Sequence, residues 1–251
     1  MSIKRLVYRL ALASVFGATI LVQHAAATPV GILNIDSGAG TITETLQAII
    51  WATHPNAFVV AGGTTLTSAA GNPAIGSTGD LKDLTFAAGL PVFNFLTFNT
   101  VPGLGFDLLS VGPGSANTNC AGLAIGQSCS IFLGSPFILT LTSTGTSESL
   151  SVGGLAHDGT VPNSNYNGIF TTQLVNVTPA QVQALFGCHT GDTSPAQCTN
   201  QAASITSSDS ATLALTPSNA VPEPNTLSLV LILGLALGGA KLTGRFRRAS
   251  C

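Results

Sequence analysis

Three short runs in this chain hold residue types that could do chemistry. Ile35-Asp36-Ser37-Gly38, after Leu33, is an apolar-Asp-Ser-Gly element. It could hold a carboxylate on a tight turn, but hydrolysis by paired carboxylates needs a second one sharing the same proton. Asp158-Gly159-Thr160 has the wrong order to be that second copy. The element therefore reads as a turn, since Asp, Ser and Gly are turn formers. The second run is His157-Asp158. A serine nucleophile needs a histidine and a carboxylate together, and no Gly-x-Ser-x-Gly is present. Neighbouring side chains on a strand point to opposite faces, so His157 and Asp158 form no dyad directly. The third is Cys188-His189 with Asp192, but no cysteine pair has the two-to-four-residue spacing of zinc ligands.

No catalytic, cofactor-binding or metal-ligating residue is assigned on this basis. A single structural calcium ion is the one cofactor with candidate ligands, from Asp80 and Asp83, or from Asp158 with loop carbonyls. No calcium-binding loop motif or phosphate-cradling glycine loop accompanies them. Carbohydrate platforms use exposed Trp or Tyr. Trp51 is the sole tryptophan and sits at a strand end, where it reads as core.

The elements that position these residues read as strands. Runs rich in Thr, Val, Ile and Phe alternate with Gly, Pro, Asn and Ser clusters, without a sustained helical period. The expected strands are 41–51, 57–67, 81–86, 92–98, 104–111, 130–133, 137–142, 148–156, 169–175 and 210–215. One helix is expected, capped by Thr178, started by Pro179 and ended by Gly187. Val182, Leu185 and Phe186 would form its docking face. Residues 190–209 read as a polar loop before an edge strand. The fold class is all-β, an antiparallel, jelly-roll-like sandwich with one short helix.

Charge is scarce: 8 basic and 10 acidic residues in 251, about 7%. Seven of the basic residues lie at the ends: Lys4, Arg5 and Arg9, then Lys241, Arg245, Arg247 and Arg248. Between residues 28 and 220, nine acids face the single Lys82, a net charge of −8. This excludes an electrostatic nucleic-acid binder. The solvent face must be built of hydroxyls and amides, and edge strands lack their usual charged guard. That pattern predicts self-association.

Residues 1–27 read as a cleavable signal peptide: a basic start, an apolar run to Val22, then Ala25-Ala26-Ala27. Residues 28–215 form the expected extracellular domain, and 216–224 a linker. Residues 225–251 hold a transmembrane helix and a basic tail. Residues 227–240 span about 21 Å as helix, against roughly 30 Å of hydrocarbon, a gap that snorkelling of Lys241 narrows. The basic flanks place both ends inside and the body outside.

The tail has three parts in order: Pro222-Glu223-Pro224, the apolar run, and Lys241, Arg245, Arg247 and Arg248. It resembles the PEP-CTERM sorting signal of Gram-negative bacteria. The resemblance covers 221–248, with Leu242-Thr243-Gly244 and Phe246 interrupting the basic cluster. It implies sorting by an exosortase, a membrane protease or transpeptidase, with transient inner-membrane anchoring. The destination it implies is the cell surface or extracellular matrix.

In an exported chain the cysteines read as disulfides. Cys120 falls near Cys129 and Cys188 near Cys198, though four cysteines allow three connectivities. The expectation is an exported, non-catalytic surface or matrix protein of the biofilm or exopolysaccharide. A polysaccharide- or surface-ligand-binding module is the alternative, and a secreted hydrolase the third reading.

Overall fold

The computed structural model describes residues 28–38, 40–51, 54–160 and 163–217. The signal peptide, Pro222, Glu223, Pro224, the sorting helix and the basic tail lie outside the described residues. Among those described, no helix is long and apolar enough to cross a membrane.

Alternating burial makes the strands. In Asp209–Pro217, every second residue from Asp209 to Leu215 is buried, and the rest face solvent. Fourteen strands follow in chain order. They are β1 (Gly31–Ser37), β2 (Ile42–Glu44), β3 (Ala48–Trp51), β4 (Phe58–Val60), β5 (Thr78–Leu81), β6 (Leu84–Thr85) and β7 (Val92–Phe98). Next come β8 (Gly105–Val111), β9 (Ser128–Cys129), β10 (Phe137–Thr142), β11 (Gly145–His157), β12 (Ser164–Val175), β13 (Ile205–Ser207) and β14 (Asp209–Pro217). The helix α1 spans Pro179–Leu185.

Eight strands close into a barrel: β1, β4, β5, β7, β8, β11, β12 and β14, each antiparallel to its neighbours. Their order around the barrel is their order in the chain. β14 pairs back onto β1, from Gly31 opposite Leu215 to Asp36 opposite Ser210. The sandwich expectation therefore gives way to an up-and-down closed barrel. Both architectures alternate inward and outward residues along every strand, so periodicity alone does not separate them. The β14–β1 and β11–β12 pairings decide it.

Antiparallel order puts the connections 38–57, 82–91, 112–144 and 176–208 at one mouth of the barrel. These carry every additional element. β13, β2, β3 and β6 assemble there into a four-stranded cap sheet. β10 and β9 extend the barrel sheet beside the first half of β11. At the opposite mouth, β1 begins beside the end of β14, so both ends of the described chain leave together.

The barrel interior is filled. Phe106 is fully buried, with its ring centroid 5.3 Å from Tyr166 and 6.1 Å from Phe98. At the capped mouth Trp51 stacks between Phe95 and Phe170, as expected of a core residue. A second apolar cluster lies under α1 and contains Cys120, Cys129, Cys188 and Cys198. Both local disulfides are formed, Cys120–Cys129 and Cys188–Cys198.

Several boundaries differ from the expected ones. β1 was read as a turn at Asp36-Ser37, yet both residues lie within the strand. The run 41–51 is two strands, because Thr45–Gln47 turns, with Thr45 Oγ1 accepting from Ala48 N. Residues 130–133 are not a strand; the short β9 precedes them. β14 is no edge strand, since it lies between β12 and β1. It also runs to Pro217, past the boundary expected at 215. In α1, Thr178 and Gln181 form the reciprocal cap, Val182 and Phe186 are buried, but Leu185 is exposed. Closure removes strand edges from the ring, which weakens the edge-pairing basis for self-association.

Truncating Phe106 leaves a cavity at the centre of the barrel. Phe106→Ala is expected to destabilise the fold by about 3–5 kcal/mol, read from urea unfolding. A loss below about 1 kcal/mol would mean that the interior is not packed as described.

Candidate functional site at the capped mouth

A row of polar side chains crosses four adjacent barrel strands just below the cap sheet. Glu148 on β11 lies opposite Thr172 on β12, and Thr172 lies opposite Asp209 on β14. Ser37 on β1 completes the row, its Oγ 2.7 Å from Asp209 Oδ1. Pairing register thus aligns residues distant in sequence on one inward face.

Two strands of the cap sheet reach into this row. Glu44 on β2 accepts a hydrogen bond from Thr172 Oγ1 at 3.1 Å through Oε1. Trp51 on β3 donates from Nε1 to Asp209 Oδ2 at 3.4 Å. Glu44 and Glu148 line the same buried seam on either side of Thr172, close enough for each to shift the other's acidity. Both glutamates are 4% exposed, and neither Oε2 has a partner among the described residues. Asp209 is 7% exposed.

Among the described residues, no lysine or arginine offsets these three acids. Lys82, the one basic residue in the body apart from histidines, is exposed and donates to the Phe93 carbonyl. The remaining walls are hydrocarbon: Ile42, Ile49, Phe137, Leu150 and Phe170, with the Trp51 ring. The cavity between them has a volume of about 10 Å³, room for one water at most.

Burial therefore dominates the acid–base chemistry. It pushes the Glu44 carboxyl up to about 7, against hydrogen bonds from Thr172 and Glu148 that favour the charge. Glu148 is held well above the ordinary carboxylate range, first by burial and then by the Glu44 charge. Burial also raises Asp209, partly offset by Ser37 and Trp51. Two like charges in apolar surroundings cannot both be stable, so the glutamate pair keeps a proton between them. A calcium ion needs 6–8 oxygens around one point, and among the described residues the carboxyls of Glu44, Glu148 and Asp209 do not gather within one ion's reach. The proton is the counter-charge that fits.

The residues singled out in sequence lie elsewhere. Asp36 is exposed, and its neighbour Ser37 is the residue that enters the row. Asp158 anchors a turn: it accepts from Thr160 N and Oγ1, and from Ala69 N at 2.7 Å. His157 lies 3.5 Å from Asp107, not in a dyad with Asp158. Asp80 and Asp83 hold opposite ring nitrogens of His54, at 2.5 and 3.3 Å. His189 N donates to Asp192, while Cys188 and Cys198 are bonded to each other and present no thiolate.

Glu44, Glu148 and Asp209 escaped sequence reading, although a signal was there. Asp209 shares parity with Leu213 and Leu215, and Glu148 with Leu150 and Val152. An acid on the apolar face of a strand is the mark of a buried carboxyl. No protein-family model matches the chain, and no curated protein or solved structure does either.

The raised pKa values set the sign of pH dependence. The folded chain holds protons that the unfolded chain releases, so stability falls as pH rises. The Glu44 contribution is whole below its ordinary 4.5 and is lost through about 7. That of Glu148, raised in the same direction by burial and by the Glu44 charge, is likewise lost as pH rises. His54, raised by Asp80, acts in the same direction: its contribution is whole below 6.5 and lost above. Urea midpoints are expected to fall between roughly pH 5 and pH 8. Glu148→Gln should flatten that fall and be about 1–3 kcal/mol more stable than the parent at the alkaline end. An unchanged slope in the variant would count against a shared proton.

Proposed function

We propose that this chain is an exported, non-catalytic surface or extracellular-matrix protein, sorted by an exosortase through the Pro222-Glu223-Pro224 tail. The carrying observation is that both cysteine pairs of the body are bonded. Such disulfides persist in oxidising compartments outside the cytoplasm. Both fall at the capped mouth, where they pin the long connections 112–144 and 176–208.

Other features support the same reading. The carboxylates and histidines singled out for chemistry are engaged by protein groups or are solvated. The cavity at the carboxyl row is too small for a substrate. β1 begins and β14 ends at the mouth opposite the cap, so both ends of the described residues lie at that mouth. The carbohydrate-binding alternative has less support, since Trp51 and Tyr166 are both 2% exposed and unavailable for stacking on a sugar.

Intact-mass measurement of the protein recovered from a host with an exosortase tests this. The expected product lacks residues 1–27 and the apolar tail segment. Retention of 227–251 at the cell surface would overturn the sorting step.

A further inference from the structure

We propose that Glu44 and Glu148 form a proton-operated clasp that seats the cap sheet on the barrel and releases it in alkaline surroundings. The cap sheet is small, with strands of two to four residues. It is held from below by two kinds of contact. One is apolar: Ile42, Ile49 and Trp51 pack on Phe95, Phe137 and Phe170. The other is the polar pair of contacts from Glu44 and Trp51 to the row.

The apolar contact is insensitive to pH, and the polar one is not. With a proton between them, Glu44 and Glu148 can share a hydrogen bond in a dry seam. Without it, two carboxylates repel in surroundings where charge is weakly screened. The other elements around the seam offer no relief. β14 adds Asp209, and β1 adds Asp36 beside Ser37. β12 contributes only the Thr172 hydroxyl, and β10 only Phe137. On the cap side, β3 adds no titratable side chain, and its Trp51 N–H is held by Asp83. β6 and β13 add none. Among the described residues, every charge facing the pair is negative.

The rupture is local because the strands differ in how they are held. Glu148, Thr172 and Asp209 lie on long barrel strands paired on both sides. Glu44 lies on a three-residue strand reached by the connection 38–57. Repulsion therefore moves the cap sheet, not the barrel. His54 is the second titrating group nearby, since Asp83 binds both its Nε2 and Trp51 N. Its role must be separated from that of the clasp.

Trp51 supplies the readout, because it is the sole tryptophan and lies in the cap sheet against the row. The full chain, disulfides intact, is titrated from roughly pH 5 to pH 9 while Trp emission, acrylamide quenching and far-UV circular dichroism are followed. The expected result is a reversible red shift with faster quenching on the alkaline side and an unchanged strand signal. Glu148→Gln and Glu44→Gln should abolish the shift, and His54→Gln should keep it. If Glu148→Gln fails to fold, Glu44→Gln and hydrogen exchange on the parent chain decide. Exchange, corrected for intrinsic rate, should lose protection in 42–44 and 48–51 but not in β14. An emission constant across the range would overturn the clasp. So would a shift that survives both glutamine variants, or one that coincides with loss of the strand signal.

Discussion

Everything in this fold depends on β14 returning to pair with β1. That antiparallel contact joins residues 31–36 to 210–215 and turns a meander into a closed ring. Closure gives the ring an inside, which Phe58, Phe98, Phe106 and Tyr166 fill. It also leaves no free edge in the ring, so a body with one lysine needs no charged guard there. The same contact brings Ser37 beside Asp209 and so completes the polar row.

Closure has a topological consequence as well. With strands alternating in direction, four of the seven connections meet at one mouth and three at the other. Among the described residues, the strands added to the ring, the disulfide-bonded loops and α1 all fall at one mouth. The other mouth receives both ends of the described residues. The body thus has one elaborated mouth and one plain one.

The carboxyl row lies at the junction of barrel and cap. Buried acids with no cation are unfavourable for stability, and apolar side chains of the same volume would hold the cap more firmly. Their presence makes the cap contact depend on protons, which apolar packing alone would not do. The two disulfides counter this, since each closes a loop within the second apolar cluster and contributes at most about 2.5–3 kcal/mol from chain entropy.

Local chemistry was legible in the residues themselves. The strands at 92–98 and 137–142 have the limits read from their β-branched and aromatic content. The Thr178-Pro179-Gly187 helix follows from capping rules, and the cysteine pairs from proximity, because each depends on neighbours within about ten residues. The distribution of charge, and the resemblance of the tail, likewise belong to the sequence alone. What only the tertiary structure decided is what depends on pairing across long separations. Barrel against sandwich rests on β14 meeting β1. The meeting of Glu44 with Glu148 and of Ser37 with Asp209 spans most of the chain, and single-strand periodicity carries no register between strands. Asp36-Ser37-Gly38 shows the division: its residue types suggested a turn, and the register of β1 against β14 made Ser37 a partner of a buried acid.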